Sequence, residues 1–375
     1  MAGLYIHVPF CKTRCAYCDF FTQTQLSHKD EYVQAVVSEL ELRKDYVNEE
    51  AIHTIYWGGG TPSLLQPEDF ETVFEAVSRL YTLSPDPEIT LEANPDDISA
   101  GYLSALQQLP FNRISIGVQS FRERDLRLLN RRHSARQALD AVSLCRQSGY
   151  ANLSIDLMYG LPGQTVRRWE ENIDQALRLQ VPHLSAYSLS YEEGTELWRQ
   201  LHAGTIRAVS EDASVRMFEM LTRKLEAEGY IHYEISNFCQ PGCFALHNTA
   251  YWTDQKYIGV GAGAHSFDHR SRQWNVASIT AYIEGMADGV PNIETEIMDE
   301  RTRYNDYILT HLRTMWGIQL PVFREHFGRE RTDSLLRQAK PFLQNGLMQQ
   351  EKARLRISRQ GLLVADGIVR GLMEN

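Results

Sequence analysis

Cys11-Lys12-Thr13-Arg14-Cys15-Ala16-Tyr17-Cys18 places three cysteines at C-x3-C-x2-C spacing. It directly follows a short apolar run, Leu4-Tyr5-Ile6-His7-Val8-Pro9-Phe10. Three thiolates this close together reach one soft metal centre. A disulfide reading leaves one of the three without a partner. Structural zinc takes four ligands, and cubane iron–sulfur clusters commonly take four cysteines. Here the local count stops at three, and Phe20 stands where a fourth could sit. A cluster held by three protein ligands keeps one iron open to a small molecule. That places the stretch among reactive sites; the competing reading is a structural zinc knuckle.

Outward from this loop the sequence alternates strand and helix patterns. Leu4–Pro9 reads as a strand and Asp30–Val47 as a helix, with Tyr32, Val36, Leu40 and Val47 spaced for one face. His53–Trp57 is a β-rich run that ends in Gly58-Gly59-Gly60-Thr61-Pro62. Helix Pro67–Leu80, strand Glu88–Glu92 and helix Ser99–Leu109 follow. Strand Arg113–Val118, ending in Gln119, precedes a two-piece helical stretch, Glu123–Ser148. Strand Asn152–Met158, helix Thr165–Leu179 and strand His183–Leu189 complete six units. Such alternation predicts a parallel sheet with right-handed crossovers. The cysteine loop, the triple glycine, Glu92, Gln119 and Asp156 fall at or just past the carboxyl ends of successive strands. Consecutive donors aimed at one point favour a barrel mouth over a flat doubly wound sheet. The expected fold is α/β, a partial six-unit (β/α) barrel over residues 1–210.

Beyond residue 200 the rhythm is lost. Glu211–Glu228 is an amphipathic helix, and Tyr230–Phe238 reads as a strand. A Gly- and His-rich segment runs from His247-Asn248-Thr249-Ala250-Tyr251-Trp252 to Gly259-Val260-Gly261-Ala262-Gly263-Ala264-His265. Residues 211–298 therefore form an expected connecting α/β segment. Residues 299–375 form an expected C-terminal domain, mostly helical and winged-helix-like.

Net charge is −10, which argues against nucleic acid as a partner. The chain is 43% hydrophobic and 23% charged, enough apolar residue for a sizeable core. Met1-Ala2-Gly3 runs straight into a strand pattern without a signal-peptide profile. No stretch reaches the roughly 18 apolar residues of a bilayer span. The expected location is cytoplasmic, where a tight cysteine cluster binds metal rather than forming disulfides.

Cys11, Cys15 and Cys18 together with Gly58-Gly59-Gly60-Thr61-Pro62 resemble the radical S-adenosylmethionine superfamily. Tyr5-Ile6-His7-Val8-Pro9-Phe10-Cys11, Glu92-Ala93-Asn94-Pro95, Ile116-Gly117-Val118-Gln119-Ser120 and Ile155-Asp156-Leu157-Met158-Tyr159-Gly160-Leu161-Pro162 carry the likeness further. The branch is that of the oxygen-independent coproporphyrinogen III dehydrogenases (HemN) and the haem chaperones (HemW). Phe20 replaces a further cysteine of the dehydrogenases, and no extension precedes the cluster. His247-Asn248-Thr249-Ala250-Tyr251-Trp252 is similar to the HNxxYW motif of the chaperones. These features place the chain nearer the haem chaperones.

The resemblance implies that Cys11, Cys15 and Cys18 hold a [4Fe–4S] cluster whose open iron takes the amino and carboxylate groups of S-adenosylmethionine. Gly58, Gly59 and Thr61 belong to the loop cradling the methionine end. Glu92, Gln119 and Asp156 contact the amino or ribose groups, and Arg131, or its neighbour Arg132, pairs with the carboxylate. Tyr5 and Tyr17 pack beside the cofactor. His247, Tyr251 and Trp252 are the haem candidates; taken alone, His247 also reads as a satisfied core histidine beside an aromatic pair. His265 is a weaker candidate, and Cys239 and Cys243, a C-x3-C pair, read as ordinary buried thiols, with metal or haem binding as the alternative. The implied partners are haem, apo haem proteins as recipients and an electron donor, with peripheral membrane contact and a homodimer as further expectations. No catalytic side chain is assigned. The alternative function is oxidative decarboxylation of coproporphyrinogen III to protoporphyrinogen IX.

Overall fold

Strands buried on both faces read as continuous apolar runs, and the first strand, β1 (Ala2–Val8), is buried at six of its seven positions. The computed structural model describes residues 2–48 and 50–374; Met1 of the opening segment, Glu49 and Asn375 of the tail lie outside them. After β1 come α1 (Lys29–Leu42), β2 (Ile52–Gly59), α2 (Pro67–Leu80), β3 (Leu83–Ala93) and α3 (Ala100–Leu106). Then follow β4 (Arg113–Gln119), α4 (Glu123–Leu128), α5 (Ala135–Gln147), β5 (Asn152–Tyr159), α6 (Val166–Leu179) and β6 (His183–Ser188). Ser99, Ser134 and Thr165 start α3, α5 and α6 by accepting the backbone N–H three residues on.

Strands β1 to β6 pair in chain order and all run parallel. Right-handed crossovers with no reversal of order keep every helix on one face. Every carboxyl end then opens toward one mouth, as in a barrel. This is the expected six-unit partial (β/α) barrel.

The chain beyond it adds α7 (Glu196–His202), α8 (Glu211–Ala227), β7 (Ile231–His232), β8 (Asn237–Cys239) and α9 (Leu246–Trp252). Next are β9 (Lys256–Val260), β10 (His265–Phe267), β11 (Ser271–Asn275), α10 (Ile279–Ala287) and β12 (Ile293–Ile297). One expectation changes here. Tyr230–Phe238 is not one strand: β7 and β8 form a short antiparallel pair, and β8 pairs with β6. Gly259 and Val260 end β9, which runs parallel to β1 and widens the sheet at its other edge. Gly261 (φ 103°) and Gly263 (φ 78°) then turn the chain into β10, a backbone that glycine adopts without strain.

Helix α1 locks that late edge to the barrel. Glu39 is fully buried and accepts from Arg43 at 2.7 Å, Tyr282 at 2.7 Å, Gly261 N at 2.8 Å and Asn275. Arg43 in turn donates to the Gly259 carbonyl and to Ser266.

The tail comprises α11 (Glu300–Leu312), β13 (Ile318–Gln319), α12 (Leu320–Gln344), β14 (Met348–Glu351), β15 (Arg354–Ile357) and α13 (Ala365–Leu372). Helix α12 kinks at Gly328. The three strands form a small antiparallel sheet, and Tyr304, Phe323, Leu335, Leu355 and Leu372 build a core separate from that of the barrel. No helix among the described residues is long and apolar enough to cross a membrane.

Candidate functional site

A cavity of about 440 Å³ opens at the barrel mouth. Cys11, Cys15, Tyr17 and Cys18 line it from the loop after β1, and Gly59, Gly60 and Thr61 from the end of β2. Glu92 and Asn94 reach it from β3, Gly117 and Gln119 from β4, Arg131 from the turn after α4, and Asp156 and Met158 from β5. Ten sequence-derived candidates thus meet at one point although they come from five strand ends. Gly58 and Tyr5 do not line this cavity. A Cβ on Gly58 would stand 2.9 Å from the Tyr56 ring and 3.0 Å from that of Tyr5.

The glycine loop lies hard against the cysteine loop. A Cβ on Gly60 would approach the Phe10 carbonyl at 2.7 Å and the Cys11 sulfur at 3.1 Å. Thr61 donates its hydroxyl to Cys11 Sγ at 3.5 Å. Gln119 sits at φ 63°, where the β4–β5 register shifts. Strained backbone of this kind gathers at functional sites, and here it turns the Gln119 side chain toward the mouth.

Glu92 accepts from the Tyr56 hydroxyl at 2.6 Å and from Gly59 N–H at 3.3 Å. Burial nevertheless pushes its carboxyl up to about 7. Burial also raises Asp156, which the Ser115 hydroxyl meets at 3.5 Å. Arg131 Nη1 lies 3.3 Å from Cys15 Sγ, and Nη2 donates to the Gly117 carbonyl at 2.7 Å and to Asn94. Its Nε is buried with no hydrogen-bond partner among the described residues. Arg132 points elsewhere, to Asp96 and Asp97. Asn94, within the Glu92-Ala93-Asn94-Pro95 motif, also donates to Thr61 at 3.2 Å and joins the glycine loop to Arg131. Its place one residue past a strand end is the signal that could have singled it out.

Among the described residues no three His, Cys, Asp or Glu side chains converge on a single ion. Cys11, Cys15 and Cys18 all line the mouth cavity. Burial raises the Cys11 thiol, and raises Cys18 to about 11. Ligation by iron replaces those protons. A raised acid and an arginine with an unpartnered nitrogen match a ligand that brings both an ammonium and a carboxylate. The residues present fit a cluster with such a ligand beside it.

A second cavity, about 390 Å³, lies behind the first and shares Glu92 and Tyr187 with it. His247, Asn248, Tyr251 and Trp252 line it from α9, with Tyr5, Tyr56, Glu234 and Arg313 opposite. Glu88 anchors α9 by accepting from the N–H groups of Leu246 and His247. His247 is 1% exposed. Its Nδ1 lies 2.8 Å from the Thr54 hydroxyl and its Nε2 2.8 Å from that of Tyr251, and its ring stacks on Tyr56. Burial lowers it to about 3, so it is neutral with both nitrogens engaged. Cys239 is buried at the end of β8, Cys243 is half-buried in the turn that follows, and among the described residues neither joins a group of three metal-ligating side chains.

A three-cysteine loop at the mouth of a six-unit partial barrel defines the radical S-adenosylmethionine class. Residues 5–176 match the Radical SAM superfamily and residues 298–364 the HemN C-terminal domain. The haem chaperone HemW of Mycobacterium tuberculosis is 35% identical over 99% of this chain and 94% of its own. That of Bacillus subtilis is 34% identical over 98% of each. The solved structure of coproporphyrinogen III oxidase (HemN) from Escherichia coli superposes with a TM-score of 0.85 at 21% identity, covering 99% of this chain and 90% of that one. The chain belongs to the HemW family within the radical SAM superfamily.

Proposed function

We propose that this protein is a haem chaperone that holds a [4Fe–4S] cluster and S-adenosylmethionine at the barrel mouth and binds haem beside them for delivery to apo haem proteins. The supporting observation is adjacency: the family's cofactor cavity and the cavity of the HNxxYW-like helix share Glu92 and Tyr187. When bound, the cluster and S-adenosylmethionine supply one-electron chemistry.

The chain's own residues do the holding. Cys11, Cys15 and Cys18 carry the cluster. The Gly58–Thr61 loop brings bare backbone close to the methionine end. Arg131 takes the carboxylate, Glu92 the amino group, and Gln119 and Asp156 the ribose. Tyr17 covers the cluster side, while Tyr5 stands one layer back, between the mouth and His247, whose ring it stacks on. Tyr251 and Trp252 offer aromatic surface to a porphyrin, and His247 positions Tyr251 through their hydrogen bond. The same reading includes a cytoplasmic location, an external one-electron donor, a homodimer and peripheral contact at membranes where recipients reside.

The test is anaerobic reconstitution followed by haem titration and by transfer to an apo haem protein. Uptake and release of haem are expected. Incubation with coproporphyrinogen III, S-adenosylmethionine and reductant is expected to yield no protoporphyrinogen; its formation would replace the chaperone reading with the dehydrogenase one.

A further inference from the structure

The cavity beside α9, about 390 Å³, falls within the roughly 300–1,000 Å³ of small-molecule sites. Tyr251 and Trp252 give it an aromatic wall, and Arg313 stands opposite. Among the described residues Arg313 brings the one permanent positive charge to this space. It comes from the C-terminal part of the chain, one residue past α11. Backbone contacts fix where its side chain starts. Thr314 forms a β-bridge with Glu234, and Met315 N–H donates to the Tyr233 carbonyl at 2.8 Å.

The guanidinium is only partly engaged. Its Nη2 pairs with Asp366 at 2.6 Å, but that carboxylate side chain is 74% exposed, and a pair so open to water contributes little. Among the described residues Nε is buried with no hydrogen-bond partner. A buried donor left without an acceptor costs free energy. Nε and Nη2 together form an edge of the guanidinium fork that can meet both oxygens of one carboxylate. Two acids also face the cavity. Glu92 is tied to Tyr56 and to Gly59 N–H on the mouth side. Glu234 is 5% exposed and accepts from Ser236 N–H at 3.1 Å. Among the described residues Arg313 forms an ion pair with neither; its partner is Asp366. Burial pushes both acids up to about 7, so around neutral pH they are partly protonated and offset the guanidinium charge only in part.

We propose that Arg313 recognises haem by a propionate carboxylate, which takes the Nε–Nη2 edge in exchange for Asp366 while the macrocycle lies against Tyr251 and Trp252. The inference rests on the haem-binding reading above and adds the group that reads the acidic edge of the ligand. Haem carries its two carboxylates on one edge, so a single anchored guanidinium fixes which edge enters the cavity. The C-terminal part of the chain then contributes directly to the haem site. Asp366 is the placeholder that gives way when haem arrives.

The experiment titrates the reconstituted full-length protein with haem and with haem dimethyl ester, whose propionates carry no charge, and reads affinity by absorbance. Wild type is expected to bind haem at least about tenfold more tightly than the diester. Arg313→Gln is expected to lose at least about tenfold for haem and to bind the diester as wild type does. Arg313→Lys recovers only part of the loss, because a point charge lacks the fork. Asp366→Asn, which removes the competing carboxylate, binds haem at least as tightly as wild type. Unchanged haem affinity in Arg313→Gln would overturn the assignment and leave the haem-binding reading standing. Equal losses for haem and diester in Arg313→Gln, or a matching loss of haem in Asp366→Asn, would overturn it too, because Arg313 would then act through the fold and not through a propionate. No haem uptake by the wild type would overturn the functional reading and this inference with it.

Discussion

Arg131 Nη1 stands 3.3 Å from the sulfur of Cys15. The guanidinium is fixed from behind by the Gly117 carbonyl and Asn94, which leaves Nε buried without a partner among the described residues. One side chain therefore joins the cluster loop to the place where a carboxylate is expected. Lysine cannot reproduce this fork, because its charge is a point rather than a plane. Arg131→Lys and Arg131→Gln are expected to retain iron and sulfide but to bind S-adenosylmethionine about 10- to 100-fold more weakly, the equivalent of roughly 1.5–3 kcal/mol for a charged hydrogen bond. Calorimetric titration beside an iron assay separates the two effects; loss of the cluster in Arg131→Gln would make the residue structural.

Glu92 gives the site a pH dependence. Its pKa is raised to about 7 chiefly by burial, with Asp156 adding to the rise and Tyr56 opposing it. In the ligand-free protein below that pH the carboxyl is protonated. An ammonium group pairs with the carboxylate, so binding must expel the proton. Affinity for S-adenosylmethionine should fall about tenfold per pH unit below about 7 and level off above it. Glu92→Gln should flatten the profile and weaken binding at pH 8. An unchanged slope in that variant would show that Glu92 is not the group responsible.

Gly59 has φ 107°, and an added Cβ would lie 2.5 Å from the His7 ring. Both strain and overlap therefore oppose any side chain. Gly59→Ala is expected to destabilise the fold by about 1–3 kcal/mol and to lower the melting temperature by several degrees. Gly149, also at positive φ but with nothing within 4 Å of its added Cβ, serves as the comparison: its alanine variant carries backbone strain alone and should lose less.

Sequence pattern reached the barrel because doubly buried parallel strands announce themselves as unbroken apolar runs, and because strand ends recur at regular intervals. The cysteines needed no tertiary knowledge, being local. Strand β9 escaped because its pairing with β1 joins residues more than two hundred positions apart, and its Gly259-Val260 end carries no alternation. The split of 230–238 escaped because two- and three-residue strands are too short to show a period. His247 illustrates a different limit. A motif names the residue but not its partners, and Thr54, which holds Nδ1, lies 193 positions away. Adjacent Arg131 and Arg132 are likewise equivalent in sequence, and only coordinates show that one faces Cys15 and the other Asp96 and Asp97.

The α1 ion pair tests whether the late sheet edge depends on the barrel. Glu39 is 0% exposed and draws together Arg43, Tyr282, Asn275 and the N–H of Gly261. Removing one member of a buried pair leaves the other charge without compensation, which costs about 3–5 kcal/mol, whereas an apolar replacement of both is often near neutral. Arg43→Leu should therefore destabilise strongly. A double variant, Glu39→Leu with Arg43→Leu, should recover part of the loss in denaturant unfolding. Its recovery would be incomplete, because Gly261 N–H and Asn275 would lose their acceptor at the turn into β10. The β10 edge carries His265, so the double variant should loosen protection of amides 259–275 from hydrogen exchange while leaving β2 to β5 protected. Equal exposure of both regions would mean that the edge and the barrel unfold as one unit, and that Glu39 stabilises the whole sheet rather than its border.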